Sequence, residues 1–99
     1  MFDDPTIPRV FDFVYADETY RIELLDAERL RWERIVGGSA SDTERYVASR
    51  LDADEWLITW IEADGLGLSS VIDFATGRLV THANQGRDVF VNAGTVRPG

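Results

Sequence analysis

Cysteine and lysine are both missing from this 99-residue chain, and it holds a single histidine. Without cysteine there is neither a disulfide framework nor a thiolate metal site. Without lysine there is no Schiff-base amine and no phosphate loop of the Walker type, which needs one. All ten cations are therefore arginine, and eighteen carboxylates outweigh them to a formal charge of −8. A surface of that sign does not displace counterions from duplex nucleic acid, so no nucleic-acid partner is expected. His82 alone cannot build a site of several histidines, no calcium-loop spacing occurs, and no metal or cofactor is expected. No apolar run approaches the roughly 20 residues that cross a bilayer. The opening MFDDPTIPRV, acidic and interrupted by Pro5 and Pro8, is the reverse of a secretory signal, so a cytoplasmic protein without membrane contact is expected.

Helical periodicity is scarce as well. Strand-like runs recur about every ten residues, bounded by Gly, Asp, Ala or Asn clusters. They are VFDFVY from Val10, TYRIELL from Thr19, RLRWERIV from Arg29, ERYVASRL from Glu44, EWLITWIE from Glu55, LGLSSVIDF from Leu66, RLVTHAN from Arg78 and RDVFVNAGTV from Arg87. The stretch DAERLRWERIV also fits a helix, but Trp32, Ile35 and Val36 before a glycine pair favour a strand. Turns of about three residues make successive strands antiparallel neighbours. A meander of eight strands removes its two exposed edges by closing, and eight strands enclose a core or one small ligand. The expected architecture is all-β: one closed antiparallel barrel over residues 9–99, preceded by an arm over residues 1–8.

Alternation sorts the two faces of each strand. Phe11, Phe13 and Tyr15 share one face, as do Tyr20, Ile22 and Leu24, then Leu30, Trp32 and Arg34. Trp56, Ile58, Trp60 and Glu62 line up on the fifth strand, where Leu57 and Ile61 make the other face apolar too. The interior is thus expected to be aromatic, with Arg34 and Glu62 as its charged members. Apolar walls with a few convergent polar groups are the usual form of a small-molecule site, and a solid core is the other reading. A glutamate desolvated beneath Trp60 would have a raised pKa and could act as a general acid or base. Arg34 could hold a substrate carboxylate or pair with Glu62. Tyr15 and Tyr20 could offer hydroxyls. His82, opposite Leu79 and Thr81, reads as surface or structural, and Asp73 reads as turn chemistry. Ser69-Ser70 lacks a nucleophile elbow.

The segments FDFVYADETYRIELLDAERLRWERIVGG, WLITWIEADG and LSSVIDFATGRLVT together resemble the small calycin-like (lipocalin-like) barrels related to molybdenum cofactor biosynthesis protein F. More distantly they resemble the bacterial phenolic acid decarboxylases. The likeness runs over most of residues 10–97 and rests on an aromatic first hairpin and the pattern Y…W-x-E-x-x-G…S-x-V-x-D-F…G. In the decarboxylases the glutamate of W-x-E-x-x-G is catalytic, which implies that role for Glu62. Their substrate-binding tyrosine pair falls on Phe13 and Tyr15, so one hydroxyl is missing. Their catalytic arginine follows a glycine, where this chain has Ser39 after Gly38. The resemblance therefore implies the scaffold without the decarboxylase chemistry.

The leading expectation is a barrel that binds a small apolar or aromatic organic molecule, with Phe11, Phe13, Tyr20, Trp32, Ile58 and Trp60 as its walls. The alternative is a lyase, isomerase or cyclase on the same scaffold, with Glu62 as general acid/base and Tyr15 and Arg34 orienting the substrate. A fully packed interaction module is a third reading, and the apolar outer face at Leu57 and Ile61 makes a homodimer plausible.

Overall fold

The computed structural model describes residues 7–99. Eight strands follow in chain order: β1 Val10–Val14, β2 Thr19–Leu24, β3 Arg29–Val36, β4 Ser41–Arg50, β5 Glu55–Ile61, β6 Gly67–Asp73, β7 Arg78–Gln85 and β8 Asp88–Pro98. Each pairs antiparallel with the next, and β8 pairs with β1, so the sheet closes into a barrel. The segment with helical features is strand β3, as Trp32, Ile35 and Val36 indicated. β4 starts at Ser41, three residues earlier than the sequence pattern indicated. The first six residues of the expected arm lie outside the described residues, while Ile7 is buried in the core. Among the described residues no helix is long and apolar enough to cross a membrane.

Register explains the burial. Phe11 faces Ile22 on β2, which faces Trp32 on β3, and Leu24 faces Leu30. Trp56, Ile58 and Trp60 face Ile72, Ser70 and Leu68, which in turn face Leu79, Thr81 and Ala83. All of these point inward because the side-chain period of a strand is two. The turns after β2, β4 and β6 gather at one end, and this end is solid: Phe11, Leu24, Leu30, Trp56, Ile72 and Leu79 are almost completely buried. Burial of each such side chain contributes about 1.5–3 kcal/mol. Tyr46 helps to fasten this end by donating its hydroxyl to the Asp26 carbonyl at 2.7 Å. Asp73 caps the turn that follows it, its Oδ1 accepting the Ala75 and Thr76 amides at 2.9 and 3.1 Å.

The closing seam has a charged fastening on the outside. Asp12 of β1 accepts a two-pronged contact from Arg21 of β2 at 3.0 and 3.2 Å, and Arg97 Nε of β8 lies 3.5 Å from its Oδ2. The two arginines are its cross-strand partners, and they cover the carboxylate almost entirely.

At the opposite end β3 carries one extra residue. Tyr20 pairs with Arg34, but the preceding Thr19 pairs with Val36, which leaves Ile35 as a bulge. The chain bends there into the Gly37-Gly38 loop, and Arg34 stays aimed at the barrel mouth.

Candidate functional site

Between the solid end and the turns after β1, β5 and β7 the barrel is open, enclosing a cavity of about 290 Å³. Its walls are largely apolar: Phe13, Ile22, Trp32, Trp60, Leu66 and Leu68, with Phe90 half out of the mouth. Three rings form a continuous edge-to-face row, Tyr15 against Tyr20 at 6.2 Å and Tyr20 against Trp32 at 6.1 Å between centroids. That is the preferred geometry for aromatic quadrupoles. Trp32 is held by its indole N–H, which donates to the buried carboxylate of Glu44 at 3.0 Å.

Besides the exposed Asn92, polar groups enter this wall at three places. The first is at the mouth, where Glu18 Oε2 accepts the Tyr20 hydroxyl at 2.6 Å and lies 3.2 Å from Arg34 Nε. The Arg34 guanidinium also sits over the Tyr20 ring, 5.4 Å from its centre. Its Nε lacks hydrogen-bond geometry to any acceptor among the described residues, so this contact is an ion pair. Gly38 makes room for it, because a Cβ at that position would lie 2.6 Å from Arg34 Cδ. The second place is Glu62, half-buried, which accepts the Trp60 indole N–H at 3.3 Å. Burial raises its pKa above the ordinary 4.5; the Trp60 hydrogen bond opposes this, while Glu44, Asp64 and Asp42 add to the rise. The turn that carries Glu62 is tight, with Gly65 at a φ of 89° and the Glu62 amide donating to the Leu66 carbonyl at 2.8 Å.

The third place is a row of hydroxyls on the far wall. Tyr15 Oη and Thr81 Oγ1 are 2.6 Å apart, and Thr81 Oγ1 and Ser70 Oγ are 2.9 Å apart. Ser70 and Thr81 are buried. Burial pushes the Tyr15 phenol up to about 12, with the Thr81 contact opposing and the nearby Tyr20 and Glu18 reinforcing the rise.

Seven of the nine residues singled out in the sequence border this cavity: Phe13, Tyr15, Tyr20, Trp32, Arg34, Trp60 and Glu62. Phe11 and Ile58 do not. Both are completely buried one layer deeper, where Phe11 packs on Phe13 at 5.6 Å and on Phe74 at 5.4 Å. Alternation finds the inward face but carries no information on depth, and these two are core. The expected contact of Arg34 with Glu62 is also replaced: Arg34 pairs with Glu18, and Glu62 acts on it only through space. His82 is exposed. Ser70, Thr81, Glu18 and Asn92 border the cavity without having been singled out as site residues. For Ser70 and Thr81 a signal existed, since each interrupts an apolar alternation, Leu68-x-Ser70-x-Ile72 and Leu79-x-Thr81-x-Ala83. Glu18 sits in a turn and carried none. Among the described residues no group of three or more His, Cys, Asp or Glu side chains is placed to hold a metal ion.

Comparison with known proteins agrees with this architecture. The crystal structure of a "putative beta-lactamase" from Burkholderia vietnamiensis superposes with a TM-score of 0.87 at 24% identity, covering 97% of each chain. At that identity the likeness speaks for the fold alone. Among curated proteins none matches the chain. The sequence profile of the MoaF-like family matches residues 7–97, from before β1 to the penultimate residue of β8. This aromatic-lined barrel belongs to the MoaF-like family.

Proposed function

We propose that the open end of the barrel binds one small aromatic or apolar organic molecule. The observation that carries this reading is the cavity itself: about 290 Å³ with aromatic walls and three groups of polar atoms reaching into it. That volume is near the lower end of the range for ligand sites, which suits a molecule of one or two rings. A solid interior would need no such space. Protein NMR with a neutral probe such as 2-naphthol tests it. Saturable shifts of the Trp32 and Trp60 indole signals, with Ile58 unmoved, are expected. Absence of saturation with any small aromatic probe would favour the packed interaction module instead.

The half-buried Glu62 favours a second reading, in which the same site performs acid/base chemistry as a lyase, isomerase or cyclase. A carboxyl whose pKa is raised by burial, beside an open cavity and a neutral phenol, is suited to taking up and returning a proton. Under that reading Glu62→Gln abolishes turnover and leaves ligand affinity nearly unchanged. The name of the Burkholderia protein does not extend to this chain through the serine mechanism of Ser-x-x-Lys enzymes, because no lysine is present.

A further inference from the structure

Tyr15, Thr81 and Ser70 come from just past the end of β1, from β7 and from β6, and they meet on one wall of the cavity. Each hydroxyl has one hydrogen to donate. Two contacts, at 2.6 and 2.9 Å, join the three groups, and each contact uses one hydrogen. No other side-chain hydrogen bond involves any of the three among the described residues. One hydrogen is therefore left over whichever way the row is oriented. It lies on Ser70 if Tyr15 donates to Thr81 and Thr81 to Ser70. The reverse order leaves it on Tyr15, and convergence on Thr81 leaves it there. A buried donor without an acceptor costs free energy, and all three groups face the cavity.

The surrounding charge narrows what would accept that hydrogen. Glu18 and Glu62 border the same cavity, and its one cation among the described residues, Arg34, is already paired with Glu18. A ligand carboxylate would meet two carboxylates, and the row offers it one spare donor rather than a two-pronged clamp.

On the reading that this cavity holds a small aromatic molecule, we infer that the ligand presents an uncharged oxygen acceptor, of carbonyl type, to the Tyr15–Thr81–Ser70 wall. The ring of the ligand then lies between Trp32 and Trp60. The row reorients to place its spare hydrogen on the hydroxyl nearest the carbonyl. Donation along the row strengthens each successive bond.

Three probes of similar shape test this by NMR titration at pH 7: acetophenone, with a carbonyl; cumene, its hydrocarbon counterpart; and benzoate, an anion. Acetophenone is expected to bind at least about fivefold more tightly than cumene, the usual net effect of one hydrogen bond, and more tightly than benzoate. Counting hydrogens also predicts a pattern among variants. Tyr15→Phe or Ser70→Ala leaves two joined hydroxyls with one hydrogen still spare, so each single variant keeps the preference. The triple variant Tyr15→Phe/Ser70→Ala/Thr81→Val, close to the same shape, loses it, acetophenone then binding no more tightly than cumene. Equal binding of acetophenone and cumene by the unaltered protein overturns the inference without any variant, and leaves the pocket standing. Tighter binding of benzoate overturns it too, as does a preference that survives the triple variant. If neither acetophenone nor cumene saturates, the proposed ligand site itself falls, and this inference with it.

Discussion

Glu62 illustrates how a single residue changes character with its surroundings. In the sequence it is the last member of an alternating row; in the fold it is half-buried under Trp60 with three acidic neighbours in electrostatic reach. Its pKa is raised, so the folded state holds this proton more tightly than the unfolded chain does. The sign follows from linkage. Its contribution to stability is fully present below about 4.5 and is lost as pH rises through the raised folded value. Glu62→Gln keeps an acceptor for the Trp60 N–H but cannot ionise. The variant is therefore expected to melt at a higher temperature than the unaltered protein at pH 7, the gap closing below pH 4.5. Thermal unfolding followed by circular dichroism across that range checks it. A variant that melts lower at pH 7 would mean that Arg34 more than offsets the burial of this carboxylate.

At the scale of the element, β8 shows a strand shaped by what crosses it. Gly94 lies where the chain leaves β1, and a Cβ there would collide with the Val14 carbonyl oxygen and with the Tyr15 ring. This bare position lets the Tyr15 ring pass across β8 to reach Thr81 on β7. Gly94→Ala must push either the backbone or the ring aside. Destabilisation of about 1–3 kcal/mol is expected from such overpacking, together with a loosened Tyr15. Urea unfolding gives the first quantity. The second appears as a Tyr15 phenol that ionises closer to the ordinary 10 than to about 12 in an alkaline ultraviolet titration. An unchanged titration would mean that the ring does not depend on the gap at Gly94.

For the whole molecule, closure solves the problem of sheet edges but leaves an apolar exterior on one side. Ile61 is 70% exposed, Val89 68% and Val91 66%. Between Ile61 and Val89 lie only Gly67 and Asn84, and between Val91 and Thr59 only His82 and Ser69. These rows contain no charged side chain, although the chain as a whole carries −8. Like charge opposes the approach of two copies, and this uncharged apolar face is where that repulsion is weakest and burial gains most; we propose a second copy as its occupant. Sedimentation equilibrium should show a dimer at micromolar concentration, and Ile61→Glu should return it to monomer with an unchanged fold. A monomer at every concentration would show that this face stays free.

Much of this was legible in the sequence for a simple reason. Period-two alternation and turn residues every ten positions are local properties of the chain, and they determine strand count, antiparallel order and which face looks inward. So the alternation alone assigns Phe13, Tyr15, Tyr20, Trp32, Arg34, Trp60 and Glu62 to one interior. Depth could not be assigned, because it depends on which layers of the closed barrel fill: the same alternation that placed Trp60 at the cavity placed Ile58 and Phe11 in solid core. Pairing across the barrel was equally out of reach. Arg34 meets Glu18 because a bulge at Ile35 and a two-glycine loop turn it toward the β1–β2 turn. Tyr15 meets Thr81, 66 residues away, because β8 closes on β1 and is bare at Gly94. Local periodicity settled the container; closure, a long-range event, settled which polar groups share it.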